Sequence, residues 1–149
     1  MSLRQELHRL CYNHIAARIN DVHAAMAQVH DAMANETKSS AGDKYETGRE
    51  MLQQELNLHQ ANLNELNKIK AVLDHTSTAA VTDTIGQGSI VHTSRGNYYM
   101  AAGAGAFQYN GKKYHTISPA SPIGKAMTGL SAKDAFSFKN LQYNILEVL

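Results

Sequence analysis

Apolar residues recur at Ile15, Ile19, Val22, Met26, Val29 and Met33, in alternating steps of four and three. Those steps define a heptad seam, an apolar stripe along one face of a helix. Upstream, Leu3, Leu7 and Leu10 continue the stripe with some drift in register. A second seam runs through Leu52, Leu56, His59, Leu63, Leu66, Lys70 and Leu73, and Leu58, Ile69 and Val72 widen it. No proline lies between Ser2 and Leu73, and the only glycines there are Gly42 and Gly48. Turn-forming residues fill Asn35 to Asp43, between the seams. The pattern predicts two antiparallel helices over Ser2–Asn35 and Lys44–His75, closed by one turn. Each has about 30 residues and is roughly 45 Å long at 1.5 Å per residue. A hairpin of that shape, held at its base, carries its tip far from the rest of the chain.

The helical period ends at Thr76-Ser77-Thr78-Ala79-Ala80. Beyond it, Ser89–Thr93 and Asn97–Met100 read as strands around a Ser94-Arg95-Gly96 turn. Asn110-Gly111 marks a hairpin between Phe107–Tyr109 and Tyr114–Ile117. Phe136–Phe138 and Tyr143–Val148 form a closing pair turning near Lys139-Asn140. Ser121 suits an N-cap and Pro122 the first helical position, so a short helix is expected over Ile123–Met127, ending at Gly129. The expectation is an α+β chain. Residues 1–76 form an antiparallel coiled-coil hairpin, and residues 77–149 form an antiparallel β-rich domain with one short helix.

Composition narrows the function classes. The formal net charge of the 149 residues is +1, unlike the strongly basic balance of a dedicated nucleic-acid binder. The single cysteine, Cys11, permits no intrachain disulfide and fits a reducing compartment. The opening residues Met1–Glu6 lack the apolar core of a signal peptide, and no apolar run is long enough to span a bilayer. A cytoplasmic protein without a membrane partner is expected.

Candidate chemistry is sparse. His23 and His30 stand seven apart beside the first seam, and no cysteine or carboxylate completes a metal pattern around them. Gly86-Gln87-Gly88 and Gly103-Ala104-Gly105 lack the Lys-Ser/Thr pair of a phosphate loop and read as loops or strand bends. No nucleophile elbow accompanies the serines and histidines. The hairpin tip carries the unusual charge: Glu36, Asp43 and Glu46 are acidic, and Lys38, Lys44 and Arg49 are basic. A solvated turn accounts for such a composition. Carboxylates on a projecting tip also suit Mg²⁺ in a partner's active site, where they would help orient water for phosphodiester hydrolysis.

Ser121-Pro122-Ile123-Gly124-Lys125-Ala126-Met127-Thr128-Gly129 resembles the S-P-I-(A/G)-(R/K)-x-(L/M)-x-G segment of the bacterial Gre transcription elongation factors. Tyr143–Val148 is similar to the family's closing strand, Y-x-I-x-x-V, and Lys133-Asp134 to the turn before its penultimate strand. The order of hairpin and β domain is also the same, so the resemblance covers nearly the whole chain. It implies an FKBP-like second domain that docks on RNA polymerase through Ser121, Pro122 and Ile123. It also implies a hairpin that enters the secondary channel to modulate elongation or transcript cleavage. The chain is then not an enzyme but an accessory factor on the polymerase active site. It has no cofactor of its own and no small-molecule substrate, and shares a Mg²⁺ with the polymerase beside the nucleic acid. The tip departs from the family's D-(L/x)-(S/K)-E-N-A-E-Y. With the tyrosine at Tyr45, Lys38 falls on the aspartate, Ala41 on the first glutamate, Asp43 on the alanine and Lys44 on the second glutamate. The candidate carboxylates are then Asp43, Glu46 and Glu36. Lys38, Lys44 and Arg49 are candidates for contact with polymerase acids or nascent RNA. Two other classes compete. One is an FKBP-like prolyl isomerase, with a pocket drawn from Phe107, Tyr109, Phe136 and Phe138. The other is a chaperone-like coiled-coil protein.

Overall fold

The structure is a computed structural model that describes residues 2–38, 42–77, 79 and 82–149, without the side chains of 36–38 and 42–46. Two long helices come first, α1 (Leu3–Lys38, 36 residues) and α2 (Gly42–Thr76, 35 residues). A capping box starts α1: Ser2 Oγ accepts from Gln5 N at 3.2 Å, and Ser2 N donates to Gln5 Oε1 at 3.0 Å. Both helices run further into the turn-rich segment than its composition predicts, to Lys38 and from Gly42. Turn-forming residues carry only small helix penalties, which propagation of a long packed helix overrides.

The chain divides into two compact units, one of residues Ile15–Lys68 and one of Met1–His14 with Ile69–Leu149. In the first, the seams close on each other. Ile15, Val22, Val29, Leu63 and Leu66 are buried, and Ile19, Met26, Met33, Leu52, Leu56 and His59 are half-buried. The stripe on α2 is narrower than expected, because Leu58 is 72% exposed and, further along the helix, Val72 is 39% exposed. Two helices bury only the residues nearest their line of contact, and a third apolar position per turn needs a further neighbour. His23 and His30 are exposed. Upstream, the buried face of α1 is Leu7, Cys11 and Ile15, while Leu3 and Leu10 are half-buried.

The second unit holds six strands and a short helix: β1 (Ile90–Thr93), β2 (Gly96–Met100), β3 (Gly105–Tyr109), β4 (Lys112–Ile117), α3 (Pro122–Met127), β5 (Ala135–Phe138) and β6 (Leu141–Val148). The strand order is β3-β4-β2-β1-β6-β5. Two hairpins close through adjacent left-handed residues, Asn110 (φ 52°) with Gly111 (φ 77°), and Lys139 (φ 51°) with Asn140 (φ 65°). Positive φ at both central positions is the turn whose twist matches paired strands.

The expectation of an antiparallel sheet is corrected at one pair, since β2 and β4 run parallel. Residues 101–104 carry the chain past the neighbouring position, so β3 forms the outer edge and β4 returns between β3 and β2. Thr116 anchors this crossing. Its hydroxyl accepts from Ala104 N at 3.0 Å and donates to Gly105 O at 2.7 Å. Gly105 takes φ +106°, where a side chain would be strained.

Side chains alternate between the two faces of the sheet. One face joins α3 in a core of Ile85, Val91, Tyr98, Met100, Met127, Phe136, Tyr143 and Ile145. Phe136 and Tyr143 stack there with centroids 4.8 Å apart. The other face bears Ile90, Tyr99 and Thr116 and meets the first turns of α1. Arg4 Nε donates to Gly88 O at 2.9 Å, and the Cys11 thiol lies against the Thr116 hydroxyl.

Candidate functional site

The loop from Ser118 to Gly129 is built by its sequence. Ser121, in extended conformation, caps α3 by accepting from Gly124 N at 3.1 Å. Its hydroxyl also donates to Ser118 O at 2.6 Å, and its backbone N–H donates to the same oxygen at 3.0 Å. Ser118 Oγ in turn accepts from Ala120 N at 3.1 Å. Pro122 fills the first helical position, where no N–H is needed. Gly124 is buried, and a β-carbon there would overlap the carbonyl oxygen of Ser118 and come within 2.9 Å of Ser121 Oγ. The glycine is required by close approach, since its φ is not in the left-handed region. Gly129 is the conformational glycine, at φ +87°, and its N–H donates to Ile85 O at 2.9 Å.

The result is a closely hydrogen-bonded loop with an exposed crest. Ile123 is half-buried and packs against the core, Ser121 is half-buried, and Pro122 is exposed. Of the three residues expected to dock, Ser121 and Ile123 are held in the loop's framework and Pro122 alone is exposed.

The tip residues stand at the facing ends of the helices, Glu36 and Lys38 in the last turns of α1 and Asp43, Lys44 and Glu46 in the first turns of α2. Their side chains lie outside the described residues. Arg49 is exposed on α2. The four aromatics of the alternative pocket are not brought together. Phe107 and Tyr109 stand on β3 at one edge of the sheet, Phe136 and Phe138 on β5 at the other. Phe136 is buried in the core, and Phe107 meets His14 edge-on at 5.6 Å.

Two polar clusters escape a reading by motif. On the face bearing Tyr99, register aligns Glu147, His92, Asn97, Tyr114 and Phe107 across five strands. His92 Nδ1 is 3.4 Å from Glu147 Oε2, and His92 Nε2 is 3.4 Å from Tyr114 Oη. Both contacts are long, and Tyr114 is almost wholly buried, its pKa raised first by that burial and then by the Glu147 charge. This row ties β6, β1 and β4 together and offers no exposed nucleophile.

The second cluster is at the base of α1. Burial pushes the Cys11 thiol up to about 12, and the Tyr99 phenol up to about 12 with a further push from Cys11 and a smaller opposing pull from Arg4. Arg4 Nη2, His8 Nδ1 and Tyr99 Oη are buried without a hydrogen-bond partner. Its sequence signal was the spacing of Arg4, His8 and Cys11, which share the buried face of the helix. That signal becomes legible only once the face is known to be covered.

Among the described residues no helix is long and apolar enough to cross a membrane, and no group of three or more His, Cys, Asp or Glu side chains stands together to hold a metal. No family model matches the chain, and no curated protein matches it.

Proposed function

We propose that this chain is an RNA polymerase-binding regulator of the Gre class, acting by occupancy of the polymerase secondary channel with its helical hairpin. The observation that carries the reading is the loop at Ser121-Pro122-Ile123-Gly124. Its internal hydrogen bonds and the missing room at Gly124 hold an exposed proline on a fixed crest, as a docking surface requires. The order of elements, a long hairpin followed by a mixed sheet with one short helix, supports the same reading. The polymerase is the enzyme and the partner, and the compartment is the cytoplasm, where that partner works.

Stimulation of transcript cleavage is weak or absent in this proposal. Metal binding by a tip needs carboxylates in register with little positive charge beside them. Here Lys38 and Lys44 take positions where the family has acids, and Asp43 is flanked by Lys44. The basic groups instead contact polymerase acids or RNA phosphates.

The test is binding to core RNA polymerase, with a Pro122→Arg variant whose fold is verified by circular dichroism. Specific binding by the wild type, weakened about tenfold or more by Pro122→Arg, is the expected result. No binding by the wild type, or unchanged affinity in the folded variant, overturns the reading. A backtracked complex then separates occupancy from cleavage. Robust cleavage that disappears with Asp43→Asn overturns the occupancy-only part.

A further inference from the structure

The net charge of +1 hides a segregation of charge within the chain. Residues 77–149 carry Arg95, Lys112, Lys113, Lys125, Lys133 and Lys139 against Asp83, Asp134 and Glu147. Topology sorts these groups between the two ends of the sheet. β1 runs antiparallel to β2 and β6, β2 runs parallel to β4, and β3 and β5 run antiparallel to β4 and β6. The turns at 94–95, 110–111 and 139–140 therefore share one end. Arg95, Lys112, Lys113 and Lys139 stand in or beside those turns, and all four are exposed. The three acids fall toward the opposite end. Asp83 precedes β1, Asp134 precedes β5, and Glu147 is the last residue but one of β6.

Among the described residues none of the four cations takes part in an ion pair. Two of them are held in place. Arg95 Nε donates to Gln142 O at 2.6 Å, and its guanidinium lies 5.8 Å from the centre of the Tyr143 ring. Lys139 Nζ lies 5.4 Å from the centre of the Phe138 ring. In the strand order β3-β4-β2-β1-β6-β5 each turn is two strands from the next, or about 10 Å at the usual strand spacing. The three turns thus form a row about 20 Å long that carries only positive charge. A row of cations matches a chain of regularly spaced anions, and phosphates are held by charge alone. Ser94, Asn110, Gly111 and Asn140 fill the turns, and Leu141 is the one large apolar side chain exposed at this end. A protein interface would gather aromatic and apolar groups at its centre instead. Tyr109 and Phe138, both half-buried, lead into the two outer turns. Aromatic rings beside a cationic track suit the bases of a single strand, which a duplex keeps stacked inside.

We propose that the turn-bearing end of the sheet is a docking surface for single-stranded nucleic acid, held through its phosphates by Arg95, Lys112, Lys113 and Lys139. The proposal does not rest on the polymerase reading. The Ser121–Ile123 loop follows the far end of β4, and the tip belongs to the hairpin.

The probe is a fluorescently labelled single-stranded RNA of about 12 nucleotides, within the length that one small domain covers. It is titrated with the full chain at several potassium chloride concentrations. The expected result is a saturable rise in anisotropy, with log affinity falling against log salt at a slope of about −2 to −3, as three or four phosphate contacts require. A fourfold variant with Arg95→Gln, Lys112→Gln, Lys113→Gln and Lys139→Gln, its fold verified by circular dichroism, should lose about tenfold or more in affinity at low salt and flatten the slope. The pairs Arg95→Gln with Lys139→Gln and Lys112→Gln with Lys113→Gln should each give about half of that flattening. Lys68→Gln, exposed on α2, leaves affinity and slope unchanged. No saturable binding by the wild type overturns the proposal, as does an equal affinity and slope in the folded fourfold variant. Loss of binding in a Lys38→Gln, Lys44→Gln, Arg49→Gln tip variant, with the fourfold variant still binding fully, also overturns it. So does polyglutamate that displaces the labelled RNA as well as unlabelled RNA does, since the surface then recognises acidic protein.

Discussion

The two faces of the sheet are both buried but solve burial differently. Tyr98 and Tyr99 are neighbours in β2, point to opposite faces, and are 8% and 0% exposed. Tyr98 enters a core of aliphatic and aromatic side chains, beside the stacked Phe136 and Tyr143. Tyr99, paired with Ile90 across the ladder, faces the first turns of α1, where Arg4 reaches Gly88 O and the Cys11 thiol lies against Thr116. The α3 face stabilises by removing apolar surface from water, at about 1.5–3 kcal/mol for each large side chain. The α1 face adds buried polar atoms without a protein partner, which contribute no such stabilisation. Apolar burial thus holds the sheet domain together, while the junction with α1 carries polar groups that stability alone does not favour.

That contrast is open to measurement. The largest effect is expected from Met127→Ala, which empties a fully buried position on the α3 face. It should cost about 2–5 kcal/mol in urea unfolding. A loss below 1 kcal/mol would mean that this face is not the main stabilising core.

Gly124→Ala comes next, at about 1–3 kcal/mol, because the new methyl group meets the backbone oxygen of Ser118. A neutral result would show that the loop gives way easily, and would remove the argument that its crest is fixed.

Alkaline pH probes both faces at once. Cys11, Tyr98 and Tyr99 are each raised to about 12, from ordinary values of 9.0 for the thiol and 10.0 for the phenols. Burial is the largest cause in all three, since it disfavours the charged forms. The folded state therefore holds these protons more tightly than the unfolded chain. The stability they contribute is complete below pH 9 and is lost as pH rises from 9 through 12. Urea midpoints measured across that range should fall, and both Tyr98→Phe and Tyr99→Phe should flatten the fall. A response confined to one variant would place the alkaline sensitivity on a single face.

The smallest effect is expected from Tyr99→Phe at neutral pH. Deleting a buried hydroxyl that has no partner is close to neutral or slightly stabilising, within about 0.5 kcal/mol. A cost well above 1 kcal/mol would mean that the hydroxyl is satisfied in solution and would erase the difference between the faces.

Wherever local periodicity or turn chemistry governs, the sequence is sufficient. The alternating steps from Ile15 to Met33 and from Leu52 to Leu73 specify two helices whose seams are buried or half-buried. Asn110-Gly111 specifies a hairpin because those two residues accept positive φ. Lys139-Asn140 adopts the same turn, and there the flanking strand pattern gives the clue. Ser121 and Pro122 specify the start of α3 through one hydroxyl and one absent N–H. These are interactions between residues a few positions apart, so their energies can be read along the chain.

Only the tertiary structure decides which strand lies beside which, and which helix faces are covered. The parallel pairing of β2 with β4 depends on residues 101–104 passing one strand position before β3 begins, and alternation within a strand is the same for either neighbour. The exposure of Leu58 is likewise set by the number of helices present, not by the apolar character of leucine. Arg4, His8 and Cys11 look like ordinary positions on a helix in the sequence. Arg4 and Cys11 are covered because the sheet, some ninety residues later, brings Gly88 and Thr116 against them. Contacts over that distance depend on the packing of whole elements, and no local pattern encodes them.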